Sequence, residues 1–252
     1  MRRARSALAV FLGFALLTAA GVGVSYAQTT PGVPAARGAT AAPRPSAAVR
    51  QNWIQRTTGT QSVALTFDDG PDPVNTPKLL DLLKKYGVKA TFCLVGHRVR
   101  DNKALVARIA AEGHTLCNHS WQHLQDLRER DDAYAFRDLE ATNEQLHKAA
   151  PDAKIKYFRA PYGNFSPRLG DFAARLGMTP LSWNVDDQCY LTADYGNGAT
   201  MRNRMFDIVK RNTKPGSIIL SHDNLKPHTI AAYETILPWL TKNHTLVALP
   251  TS

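Results

Sequence analysis

Five short segments concentrate the residues able to do chemistry. They are Phe67-Asp68-Asp69-Gly70-Pro71, His119-Ser120-Trp121-Gln122-His123, Arg159-Ala160-Pro161-Tyr162-Gly163, Trp183 with Asp186, and Leu220-Ser221-His222-Asp223. Two histidines four residues apart can put both imidazoles on one face of a turn, and a carboxylate from another segment can complete a three-ligand set. His, His and Asp suit zinc, or a divalent relative such as cobalt or nickel, and leave positions open for water and substrate. Adjacent acids on an extended backbone point apart, so one carboxylate can bind the metal while its neighbour takes a proton from water. Such a base needs a counter-cation to stay ionised in a closed pocket, which Arg159 can supply. His222 can then protonate a leaving group. These are the parts of metal-assisted hydrolysis of an amide or ester. Each also has a plainer reading. A histidine pair at this spacing can arise by chance among 8 histidines, and Asp-Gly-Pro after a strand is ordinary turn chemistry.

The elements that must position these residues supply the discriminating test. Apolar or β-branched runs over 63–67, 90–95, 114–117, 156–158, 178–183, 217–220 and 245–248 alternate with helical periodicity over 76–86, 103–112, 131–149, 166–176, 199–211 and 228–241. That alternation predicts parallel strands joined by crossover helices, an α/β fold. About seven such units in a single domain predict a (β/α) barrel. An open doubly wound sheet would alternate in the same way, but no glycine-rich phosphate loop follows any strand. In a parallel barrel the active site lies at the C-terminal ends of the strands. All five segments fall there.

Thr66-Phe67-Asp68-Asp69-Gly70-Pro71, His119-Ser120-Trp121-Gln122-His123, Arg159-Ala160-Pro161-Tyr162 and Leu220-Ser221-His222 resemble, in order, four motifs of the polysaccharide deacetylases. This is the NodB-homology domain, the fourth family of carbohydrate esterases, and the likeness spans 63–222. It implies a distorted (β/α) barrel of about seven parallel strands and a bound metal, usually zinc. Carried over by motif position, it implies Asp68 as the catalytic base and Asp69, His119 and His123 as metal ligands. Arg159 would hold the base, Tyr162 would offer its backbone N–H to the oxyanion, Leu220 would line the acetyl pocket and His222 would be the general acid. Trp183, beside a motif, can stack on a sugar face. The implied substrate is an acetylated polysaccharide, first of all the N-acetylglucosamine units of chitin or peptidoglycan. Acetyl esters of xylan need the same parts.

One position departs from the family. Cys189-Tyr190 stand where the family carries an Asp-Trp pair, whose carboxylate orients the acid histidine. Tyr190 can still wall the pocket, but a neutral thiol cannot act as a carboxylate, which leaves Asp186 or Asp187 as alternative partners for His222. The alternative to an enzyme is therefore a catalytically weakened, carbohydrate-binding relative.

The N-terminal 52 residues do not read as part of this fold. Arg2, Arg3 and Arg5 precede a small and apolar run over 7–20, and Ser25-Tyr26-Ala27 supplies a cleavage site, so 1–27 reads as a secretory signal peptide. Gly21 and Gly23 argue against an uncleaved anchor extended to Val24. Residues 28–52, rich in Pro, Ala and Thr, read as a flexible tether, leaving 53–252 as the catalytic domain. The expected product is secreted, extracellular or cell-wall-associated, monomeric, and not inserted in a membrane after cleavage.

The formal charge is +10, but 1–50 hold six of the 31 basic residues and none of the 21 acidic ones. The remaining 25 against 21 give +4, an ordinary solvated surface. Without a basic cluster interleaved with aromatics, nucleic acid is not an expected partner. Of three cysteines, Cys93 and Cys117 lie in consecutive predicted strands, either as buried thiols or as a disulfide, and Cys189 is the odd one out.

Overall fold

The computed structural model describes residues 53–251; the signal peptide and tether expected over 1–52 lie outside the described residues. Strands and helices alternate as β1 (Val63–Asp68), α1 (Asn75–Lys85), β2 (Thr91–Leu94), α2 (Gly96–Asp101), α3 (Lys103–Ala111), β3 (Thr115–Asn118), α4 (Asp132–Ala149), β4 (Tyr157–Phe158) and α5 (Pro167–Arg175). They continue as β5 (Thr179–Pro180), β6 (Val185–Asp186), α6 (Thr192–Tyr195), α7 (Ala199–Asn212), β7 (Ile218–His222), α8 (Pro227–Asn243) and β8 (Leu246–Val247). All strand pairs are parallel, in the order β5-β4-β3-β2-β1-β7-β6, with β8 pairing the start of β1. The result is the expected distorted barrel, curled but with no ladder joining β5 to β6 among the described residues.

The open seam explains where the sequence reading of the strands fails. The run at 178–183 predicts one strand, but the chain there changes sides. Leu181 N–H bonds the Phe158 carbonyl at 2.8 Å, whereas Asn184 N–H bonds the Ile218 carbonyl at 3.2 Å. Residues 181–184 thus cross from the β4 edge to the β7 edge, leaving two-residue strands on either side. The segment before β1 bridges the seam. Gln55 exchanges backbone hydrogen bonds with Pro180 and Ser182 at 2.8 and 2.7 Å, and Thr58 N–H reaches the Gly216 carbonyl at 3.0 Å.

Strand periodicity of two sorts the side chains. Along β1, Val63, Leu65 and Phe67 pack outward into the main core under the helices, while Ala64 joins a second, smaller cluster inside the barrel. That inner cluster also holds Cys93, Cys117, Tyr157, Leu181 and Ile218. The inward positions nearer the C-terminal ends are therefore Asp68 on β1, His119 after β3, Arg159 after β4 and His222 on β7. Apolar side chains fill the base of the barrel, and polar ones crown it. Cys93 and Cys117 are register partners with Cα atoms 4.2 Å apart and form a disulfide inside the barrel, which resolves the two readings in favour of the bridge.

Candidate functional site

Asp68 ends β1 and Asp69 follows it, and the expected extended backbone with diverging side chains is not what forms: both carboxylates approach His119 Nε2. Asp69 adopts a left-handed backbone, φ 72°, with the Arg98 guanidinium donating to its carbonyl. Asp68 Oδ1 accepts from Arg159 Nη1 at 2.6 Å, and Asp68 Oδ2 lies 3.6 Å from His119 Nε2. Asp69 Oδ1 lies 3.4 Å from His119 Nε2 and 3.2 Å from His123 Nε2, and this buried oxygen accepts no hydrogen bond. Three ligand atoms bonded at about 2.1 Å to one tetrahedral ion sit about 3.4 Å from one another. The spacing around Asp69 Oδ1, and its lack of a donor, fit a shared divalent cation.

The two imidazoles differ in protonation. His119 Nδ1 donates to the Arg159 carbonyl at 2.8 Å, which turns the Nε2 lone pair toward Asp69. Burial disfavours the charged form of His119, but the Asp68 and Asp69 charges outweigh it and raise its pKa. His123 is lowered to about 4, first by burial and then by the positive charge of His119, so it is neutral and able to ligate near pH 7. Burial works against ionised Asp69, yet the adjacent imidazoles of His119, His222 and His123 hold it well below the usual carboxylate range.

Arg159 is fully buried, and each of its three nitrogens donates a hydrogen bond. Besides Asp68, it donates to Thr66 Oγ1 at 2.8 Å and to the Leu181 and Ser182 carbonyls at 3.1 Å. A buried ion pair persists only when the remaining donors are satisfied in this way. Its guanidinium also lies 5.4 Å from the Trp183 ring.

His222 faces the pair from β7, where it is the register partner of Asp68. Its Nδ1 lies 3.3 Å from Cys189 Sγ, and its ring stands edge-on to Tyr190 with centroids 5.6 Å apart. Both carboxylates considered as alternative partners bond elsewhere. Asp186 accepts from the Gln188 N–H and the Tyr190 hydroxyl, each at 2.9 Å. Asp187 is buried, accepts the Cys189 N–H at 3.0 Å, and is raised to about 6 by that burial. Cys189 is held in turn by His228, whose Nε2–H donates to its carbonyl at 2.8 Å. Burial, then the Asp187 charge, push its thiol well above the ordinary range, so it is neutral.

Nine of the ten expected site residues line one cleft of about 400 Å³, with Arg159 beneath it. Tyr162 stands at its rim, 62 % exposed and left-handed at φ 56°, its ring 4.7 Å from that of His123. Gly163 follows at φ 68°, where a Cβ would come within 2.9 Å of Trp183; only glycine fits there. Leu220 forms the apolar floor beside His222. The cleft also includes Lys226, which no motif or spacing singles out.

The polysaccharide deacetylase family profile matches residues 55–181. A chitooligosaccharide deacetylase of Sinorhizobium fredii is 37 % identical over 178 residues, covering 69 % of this chain and 77 % of that one. A peptidoglycan-N-acetylglucosamine deacetylase of Bacillus cereus is 37 % identical over 194 residues, covering 75 % and 66 %. Among solved structures, a peptidoglycan N-acetylglucosamine deacetylase superposes with a TM-score of 0.70 at 33 % identity, covering 80 % of this chain and 93 % of the other. The geometry at the barrel mouth and these likenesses agree: the chain belongs to the polysaccharide deacetylase family.

Proposed function

We propose that this chain is a secreted hydrolase that removes acetyl groups from N-acetylglucosamine units of chitin or peptidoglycan. The observation that carries the reading is the convergence in one cleft of three metal-type ligand atoms, an arginine-paired carboxylate and an opposing imidazole. The relatives named above, which act on chitooligosaccharide and peptidoglycan, support the two substrates equally.

Asp69, His119 and His123 would hold a divalent cation, zinc or a similar metal, which polarises an acyl oxygen and makes water more acidic. Asp68 takes the proton from the attacking water. Its Oδ1 is committed to Arg159, which leaves Oδ2, on the side facing His119, as the base. The Tyr162 N–H donates to the oxyanion as the carbonyl carbon becomes tetrahedral. Leu220, Trp183 and Tyr190 enclose the acetyl methyl and exclude water from it. His222 Nε2 gives its proton to the nitrogen as the C–N bond breaks, yielding acetate and a free amine. Among the described residues no helix is long and apolar enough to cross a membrane, and export rests on the signal-like residues 1–27. Residues 53–252 form the catalytic domain in this reading, acting as a monomer.

The test is acetate release from chitooligosaccharides, peptidoglycan and acetylxylan, measured side by side with zinc-loaded protein. Release from the first two and little from the third is expected. Release from acetylxylan alone would make it an esterase, and none from any acetylated glycan would leave a binding protein.

A further inference from the structure

The turn that carries both histidine ligands is held from outside the cleft. Ser120 and His123 both adopt left-handed backbone, φ 66° and 56°, a region sparsely populated by non-glycine residues. Such a turn persists only where its surroundings over-determine it. Three elements do so. From the end of β3, Asn118 Oδ1 accepts the Ser120 N–H at 2.9 Å. From α2, the Gly96 N–H reaches the Ser120 carbonyl at 2.9 Å and the His97 N–H reaches the Trp121 carbonyl at 3.2 Å. From α4 comes Asp138, wholly buried.

Asp138 Oδ1 accepts the Trp121 N–H at 2.8 Å, and the carboxylate also accepts the Gln122 N–H. Trp121 and Gln122 are central in the turn, between the two histidines. One acid in the middle of an 18-residue helix therefore grips the centre of the loop whose ends carry Nε2 of His119 and of His123. Asp138 does not line the cleft, and its reach to the chemistry runs through the turn backbone alone.

We propose that Asp138 is a positioning residue for the metal site, setting the separation of the two imidazole nitrogens by anchoring the backbone between them. The proposal rests on Asp69, His119 and His123 being metal ligands. Loss of a group that orients ligands in this way typically weakens metal affinity about 10–100-fold.

The experiment is zinc binding by competition with a chromophoric chelator, on wild type, Asp138→Ala, Asp138→Asn and His123→Ala, with circular dichroism of each apo protein. Asp138→Ala should raise the zinc Kd by about tenfold or more, while Asp138→Asn, which keeps an oxygen acceptor, stays close to wild type. A folded Asp138→Ala variant with wild-type affinity overturns the proposal. Alanine strands two buried amides, so Asp138→Glu is measured in parallel. It keeps the acceptor but displaces it by one methylene, and an unchanged Kd there overturns the proposal if the alanine variant does not fold. His123→Ala separates the two readings. Wild-type affinity in that variant removes the ligand assignment itself, whereas loss in His123→Ala without loss in the Asp138 variants removes only the positioning role.

Discussion

The two walls of the cleft are secured by different means. On the β1–β3–β4 side, Asp68 is ion-paired to a buried arginine whose three nitrogens all donate hydrogen bonds, and His119 is tied to a backbone carbonyl. On the β6–β7 side, His222 rests against a neutral thiol, while Asp186 and Asp187, just before that thiol in sequence, are spent on the Gln188 and Cys189 N–H groups and the Tyr190 hydroxyl. Carboxylates are thus abundant near both walls, yet only one wall uses them on its reactive groups. What decides a carboxylate's role is which donors reach it first, and backbone N–H groups two residues away reach Asp186 and Asp187 before the imidazole does.

If the comparison is right, damage to the first wall is the more severe. Chelation should abolish acetate release and zinc should restore it; His123→Ala should hold little metal by elemental analysis, and a metal content equal to wild type would break the ligand assignment. Asp68→Asn should lower kcat by about 10²–10⁴-fold, as for a lost general base, with metal content unchanged. A drop in metal content instead would make Asp68 a ligand. Arg159→Met should destabilise the fold by about 3–5 kcal/mol, because Asp68 is left buried without its partner; denaturant unfolding measures this, and a change within error would show that water reaches the pair.

The first wall was also the more legible in the sequence. Strands β1 and β3 are buried throughout, so they read as unbroken runs, and Asp68-Asp69 and His119 lie at or directly after their ends. Parallel strands covered on both faces have this signature. The second wall is built where that signature stops. β5 and β6 have two residues each, Pro180 offers no N–H, and the chain between them crosses an open seam, so 178–183 reads as one strand. Nor could sequence choose a partner for His222 among Asp186, Asp187 and Cys189, since all three lie within four residues and only the turn geometry separates them. Asp138 was invisible for another reason. An acid within an amphipathic helix looks like any solvated one until the helix is packed with that face inward.

The smallest effect should come from the second wall, and it is the sharpest test of the difference. An added negative charge beside an imidazole favours the protonated form, and general-acid activity persists only while His222 carries its proton. Cys189→Asp places a carboxylate where Sγ now lies 3.3 Å from Nδ1. The basic limb of the pH–kcat profile should therefore move to higher pH, by about one unit, under the same zinc load. Cys189→Ser, neutral and close in size, should leave the limb where it is. Asp69 and Asp187 already act on this region by charge, and Asp187 accepts the N–H of residue 189. Asp187→Asn is thus the needed control, since a new acid at 189 must ionise beside it. A limb unmoved in Cys189→Asp, but collapsed in Asp187→Asn, would mean that the buried carboxylate already serves the imidazole across the thiol. The two walls would then differ in the route of the charge and not in its presence.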